Sequence, residues 1–254
     1  MTTDSNDQPS PFARPGFIAA AVVVTLIIVA GIILAITNAT SADTDPGPAP
    51  QTDAATTTPV PTPTEEPAGT TTEASICDLG GAETGTARLT TAPDVDAWEY
   101  QGTTAYPTSQ TFGPGATNDT AGYRYCFQRT PEGALLAATY ALAVGSDQAV
   151  VPQWIEYFTA PGPYRDQFLE QPPADRDSSS VRMRVAGFRL LSYEGDAASV
   201  DLAFVASTQG QTINASLVYD LVWSDGDWKI DTSSPEPGSF STIPDLAGYV
   251  PWSE

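Results

Sequence analysis

Three hydrophobic patterns divide the chain. The first is an unbroken apolar run, Phe17–Ile36 (FIAAAVVVTLIIVAGIILAI). No charge interrupts it, and about 20 residues rising about 1.5 Å each cross a hydrocarbon core of about 30 Å, so the run predicts a transmembrane helix. The second, Thr130–Gly145, reads as a soluble helix. Thr130 caps it, Pro131 takes the first helical position, Glu132 suits the positive end, and Gly145 closes it. Between these signals Ala134–Val144 is apolar nearly all round, so the helix must be covered on most sides.

The third pattern is alternation across Val181–Asp231. Ile213, Ala215, Leu217, Tyr219, Leu221 and Trp223 alternate with more polar neighbours, the period of a strand with one face buried. Val200, Leu202 and Phe204 repeat the pattern before it, and Trp228 and Ile230 after it. Glycine-containing turns at Glu194-Gly195, Gln209-Gly210 and Asp225-Gly226 divide this region into four antiparallel strands in sequence order. Gly187 interrupts the first of them and marks a bend or bulge. Between the second and third patterns, Asp147–Ala160 predicts a helix carrying Trp154, Ile155 and Phe158. A third helix is expected around Tyr164–Gln171, and Gln171–Ser180 is a polar break.

The remaining stretches carry weaker periodicity. Residues 1–16 are short and polar, and residues 37–75 form a Thr/Pro-rich linker with too little apolar surface to fold. Residues 76–254 form the folded domain. Its first part, Ile76–Arg129, sets Trp98, Tyr100, Tyr106, Phe112, Tyr123 and Tyr125 among Gly, Pro and Thr, which predicts irregular extended chain with one or two short strands. Such aromatics either pack under loops or line a carbohydrate or peptide groove, the former being the commoner use. The tail, Pro235–Glu254, has too many Pro and Gly for regular structure, yet Ile243, Leu246, Tyr249, Val250 and Trp252 are expected to pack back on the domain.

Charge sets the orientation. Arg14 precedes the apolar run, and no Lys or Arg follows it until Arg88, which puts residues 1–16 in the cytoplasm and the domain outside. A competing reading is a signal peptide cleaved after Ala42, but its apolar core would exceed the usual length of about 7–15 residues. Gly31 and Ala35 form a small-xxx-small pair that ordinary membrane composition also produces. The net charge of -21, with Lys229 the single lysine, argues against nucleic-acid binding through phosphate neutralisation. The same composition, rich in Ala, Thr, Asp and Pro, points to a GC-rich bacterial source.

Histidine is absent, which excludes His-based triads and His-containing zinc sites within the chain. No nucleophile elbow, P-loop or dinucleotide glycine pattern occurs, and Asp225-Gly226-Asp227 lacks the rest of a calcium loop and reads as a hairpin turn. The expectation is a non-enzyme holding neither metal nor cofactor. Cys77 and Cys126 lie beyond the span, where an oxidising exterior favours their pairing over two free thiols. Arg182, Arg184 and Arg189 form the one local basic cluster, a candidate docking patch, against which stands cross-strand pairing with acids such as Asp201. Asn38, Asn118 and Asn214 open N-x-Ser/Thr sequons.

Together the patterns predict an α+β domain with helices packed against a curved four-stranded antiparallel sheet. Thr130–Ala138, Ala186–Tyr193, Leu221–Lys229 and Gly248–Trp252 resemble a family of actinobacterial single-pass envelope proteins of unassigned function, associated with integrative conjugative elements. The helix-then-sheet order also resembles the nuclear-transport-factor-two-like (NTF2-like) ectodomain of the scaffold subunit of type IV secretion systems. These resemblances imply a membrane-anchored scaffold or interaction protein of a conjugative or secretion-type envelope complex, with other envelope subunits as partners and a homo-oligomer left open. The alternative expectation is an extracytoplasmic ligand-binding or sensing module with a pocket between sheet and helices.

Overall fold

The computed structural model describes residues 74–170, 181–208, 211–236 and 238–254. The expected cytoplasmic tail, membrane span, nearly all of the linker, the break at Gln171–Ser180 and the Gln209-Gly210 turn lie outside the described residues. Among the described residues no helix is long and apolar enough to cross a membrane.

In chain order the elements are β1 (Ala97–Gln101), β2 (Thr104–Thr108), β3 (Ala116–Asn118), β4 (Tyr123–Tyr125), α1 (Pro131–Val144), α2 (Val151–Phe158) and α3 (Arg165–Leu169). They are followed by β5 (Arg182–Tyr193), β6 (Ala197–Thr208), β7 (Gln211–Ser224), β8 (Asp227–Ile230), β9 (Gly238–Thr242) and β10 (Val250–Pro251). Strand makes up 41% and helix 16%, so the domain is mostly β. The expected four-stranded NTF2-like α+β architecture is therefore corrected. Among the described residues the principal sheet has six antiparallel strands and does not close into a barrel, and β1–β2 and β3–β4 form two further two-stranded sheets.

The meander β5–β6–β7–β8 forms as the alternation predicts, and its last turn has Asp225 at φ 55° and Gly226 at φ 78°, the paired positive values of a tight hairpin. The two strands that enlarge the sheet come from the tail. β9 pairs with β7 over Ala215–Tyr219, just upstream of β8, and β10 pairs with Phe188 and Gly187 of β5. A Cβ on Gly187 would sit 2.8 Å from the Val250 carbonyl oxygen, so the missing side chain is what admits β10. The register shifts between Val185 and Gly187, as the glycine suggested, and again between Leu190 and Ser192. Trp252 then folds in against Trp98 and Phe188, with ring centroids 5.2 and 5.6 Å away.

α1 forms as its end signals specify. Thr130 is extended, and its hydroxyl accepts the Gly133 N–H at 3.1 Å. Every residue of α1 except Glu132 is buried. The inner face of β5–β8 covers part of the helix and β2 another part, with Tyr106 edge-on to Tyr140 at 4.9 Å. α2 starts later than Asp147 because Asp147 accepts the N–H groups of Ala149 and Val150 in a preceding turn. It stops at Phe158 because Thr159 turns extended and bridges to Ile230.

Gly133 gives a test of sign. Glycine to alanine inside a helix ordinarily stabilises by about 1 kcal/mol. A Cβ at 133, however, would lie 1.9 Å from the Gln128 carbonyl oxygen, which is backbone and cannot swing away. Gly133→Ala is expected to lower stability by about 1–3 kcal/mol in denaturant unfolding, and a stabilised variant would contradict the close packing of the α1 entry.

Candidate functional site

Asp227 is a buried carboxylate held by four hydrogen bonds. It opens β8 with 1% exposure. Its Oδ2 accepts the Cys126 N–H at 2.7 Å and the Tyr157 hydroxyl at 2.7 Å. Its Oδ1 accepts the N–H groups of Phe127 at 2.8 Å and Trp228 at 2.9 Å. One carboxylate thus joins the chain leaving β4, helix α2 and strand β8. Burial pushes the Asp227 carboxyl up to about 6, against the four donors, which hold it down. Burial and the adjacent Asp227 charge together push the Tyr157 phenol well above its ordinary range.

The disulfide Cys77–Cys126 lies beside this carboxylate, with Cα atoms 6.1 Å apart, and among the described residues no cysteine is free. Closing a loop of about 50 residues contributes about 4 kcal/mol in the chain-entropy model. Cys126 sits at φ 71°, a left-handed conformation held by its N–H on Asp227 and by the Gly115 N–H on its carbonyl. The Ile76 N–H reaches the Gly226 carbonyl at 2.8 Å, so the start of the domain is pinned to the β7–β8 turn.

Above Asp227 lies an open cleft of about 580 Å³. Tyr157 of α2 forms its floor, with the Tyr123 and Tyr125 rings at 5.5 and 5.3 Å. Lys229 places its ammonium 4.9 Å from the Tyr157 ring centroid and 3.0 Å from Asp225 Oδ2, which holds that carboxyl below its ordinary value. Arg165 at the start of α3 donates from Nη2 to the Glu156 carbonyl at 2.8 Å. Lys229 is countered by Asp225, and the ring of Tyr157 is occupied by its neighbours. The cleft therefore combines hydrogen-bonding groups such as Gln153, Glu156 and Arg165 with the apolar surface of Tyr123, Tyr157 and Pro161.

The candidate basic patch is brought to one face. Arg182, Arg184 and Arg189 lie opposite Ser207, Val205 and Asp201, all on the outer side of β6, because the irregularity at Ala186 reverses the side-chain alternation before Arg189. Arg189 is committed within the domain. It donates to the buried Asp201, which also accepts from Ser216 at 2.6 Å and Tyr249 at 3.0 Å, and its guanidinium carbon lies 4.2 Å from the Tyr249 ring centroid. Arg182 and Arg184 are exposed, with no ion pair among the described residues. The N-terminal aromatics mostly pack, Trp98 on Trp252 and Tyr106 on Tyr140, while Tyr100 is 63% exposed. Asn118 of the second sequon is engaged with Tyr123 and the Ala121 N–H.

Asp227 was not legible as a site. Its place beside Asp225-Gly226 marks a solvated turn, and nothing in the local pattern says that Tyr157 of α2 will close over that face of β8. Among the described residues no group of three or more His, Cys, Asp or Glu is arranged to hold a metal.

Fold and cleft define a predominantly β, disulfide-stapled domain with one enclosed helix and two buried, hydrogen-bonded acids, Asp227 and Asp201. The chain belongs to the family described as "Domain of unknown function (DUF8175)", whose model matches residues 54–251. No curated protein and no solved structure matches it.

Asp227 predicts a pH dependence of defined sign. The native state holds its proton more tightly than the unfolded chain, so this group adds stability as pH falls from above about 6 towards 4. A shift of about two pH units corresponds to on the order of 3 kcal/mol. Tyr157 is the one donor of the four whose hydroxyl can turn to accept from the protonated acid. Asp227→Asn replaces one acceptor oxygen by an amide nitrogen, leaving buried N–H donors unmet at a cost of about 1–3 kcal/mol each. Denaturant unfolding of both proteins should show the wild-type advantage growing from pH 7 to pH 4. An advantage that stays flat would refute the assignment.

Proposed function

We propose that the chain is a membrane-anchored extracytoplasmic interaction protein that works through its surface as a subunit of an envelope complex. The observation that carries this reading is the filled interior. The space between sheet and N-terminal hairpin, where a ligand-holding fold keeps its cavity, is occupied by α1, with Ala134–Ala138 and Tyr140–Val144 at 0% exposure. A domain so filled presents partners with an outer surface. The likeness of its motifs to envelope proteins of conjugative elements supports a DNA-transfer or secretion-type complex as the kind of assembly. The secretion-scaffold likeness in helix-then-sheet order supplies no further support, since the sheet is larger and differently completed.

The test is crosslinking in native membranes followed by affinity capture of the full chain. A defined set of envelope proteins is expected, and their loss when the domain surface is altered while the anchor is kept. Recovery of the chain alone, in membranes where the complex is assembled, would overturn the reading.

The cleft above Asp227 favours a second reading, a ligand-binding module. It predicts that small polyols, amino sugars or short peptides shift the fluorescence of Tyr157 and its neighbours saturably, and that Lys229→Ala or Arg165→Ala abolishes the shift. A signal unaffected by these substitutions would discard it.

A further inference from the structure

The two edges of the six-stranded sheet are finished differently. On the β5 side the edge is interrupted twice by register shifts, carries Arg182, Arg184 and Arg189, and is covered at its centre by β10 with Pro251. These are the devices by which sheets prevent edge-to-edge association. β8 is covered in its turn, since Thr159 bridges to Ile230 and the Ala160 N–H bonds the Ile230 carbonyl at 2.9 Å. β9 has none of these protections. Gly238-Ser239-Phe240-Ser241-Thr242 is regular and uncharged, with Pro237 and Pro244 outside it rather than within it.

The register tells which backbone groups of β9 are free. The Ile243 N–H donates to the Asn214 carbonyl at 3.1 Å, so the positions bonded to β7 are 239, 241 and 243. The N–H and C=O groups of Gly238, Phe240 and Thr242 therefore point away from the sheet. Among the described residues no backbone hydrogen bond reaches that side.

We propose that β9 is a self-association edge, on which two copies of this chain pair antiparallel about a two-fold axis at Phe240. A second copy is the occupant that the charge pattern selects. With a net charge of -21, two copies repel wherever acids face each other, and residues 237–244 form an uncharged run that includes the whole of this strand. An antiparallel edge is also its own complement under a two-fold operation. Centring on Phe240 uses the full strand, pairing Gly238 with the partner's Thr242 and Phe240 with the partner's Phe240. It places Ser239 opposite the partner's Ser241 in a non-hydrogen-bonded pair, with Cα atoms about 4.5 Å apart. The two principal sheets then run on as one. The contact is narrow, so the association is weak in solution and is read best by covalent trapping. The inference does not depend on the identity of the envelope complex.

The experiment uses the full chain in native membranes. Ser239→Cys/Ser241→Cys brings two interchain thiol pairs within disulfide reach, and a covalent dimer is expected on non-reducing gels. Neither single variant should dimerise, since each introduced thiol lies two residues from its own copy across the axis. Thr242→Pro added to the double variant removes only an outward N–H and should abolish the dimer. Thermal unfolding of that variant and the intact Cys77–Cys126 bond report whether it has folded. Absence of a dimer from the double variant would overturn the proposal. So would equal dimer from either single variant, from a Ser233→Cys control, or from a folded Thr242→Pro form. Trapping of a different protein by the thiol introduced at position 239 or 241, with no self-pair, would assign the edge to another partner and equally overturn it.

Discussion

A helix with no polar side imposes its own burial on the rest of the chain. α1 carries thirteen buried residues in fourteen positions, and a lone sheet covers only one flank of a helix. The other flanks need cover of their own, and β2, the chain before α1 and the β8 end of the sheet supply it. This requirement accounts for the aromatic N-terminal segment, whose Tyr106 and Phe127 lie against Tyr140 of the helix. Small side chains make the enclosure feasible, because the many alanines of α1 let neighbouring backbones come close on all sides.

Apolar burial of this kind is non-directional and does not fix which loop lies where. Directional contacts do so here. Asp227 ties three stretches distant in sequence with four hydrogen bonds, three of them from backbone N–H groups, and the disulfide locks one of those stretches to the start of the domain. Asp201 does the same on the outer face of the sheet, drawing Arg189, Ser216 and Tyr249 together and so holding the tail where β10 can add to β5. Both acids are buried, satisfied and far from the solvated character that an acidic chain leads one to expect.

Legibility followed the length of each periodic segment. α1 and the meander each run through a dozen or more residues of consistent pattern, and both form as that pattern predicts, down to the Thr130 cap and the Gly187 irregularity. β9 and β10 were not legible, because a strand of five or two residues has too few alternations to register, and Gly238 and Pro251 argue against a strand on local grounds. Their pairing is decided by β7 and β5, which offer open edges. The fold class failed for this reason. The site failed for another. Asp227 looks like a turn residue, and its burial comes from Tyr157, seventy positions away in sequence. For the basic cluster, the inferred bulge at Gly187 already contained the answer. One extra residue reverses the alternation, and that places Arg189 on the same face as Arg182 and Arg184, opposite Asp201.

Among the described residues the space between the principal sheet and the N-terminal hairpin is filled by α1. With the interior filled, what distinguishes one part of the molecule from another is how each surface deals with charge and with unpaired backbone. The chain is strongly acidic, with a net charge of -21, so like charges repel wherever acids of two copies face each other. The β5 edge is interrupted and cationic, and the cleft above Asp227 balances its own charges through Lys229 and Asp225. Of the two edges of the principal sheet, the β9 stretch combines unpaired backbone with electrical neutrality. Where repulsion is the rule, a neutral strand with free donors and acceptors is where contact costs least, so the positions without charge guide assembly as much as those that carry it.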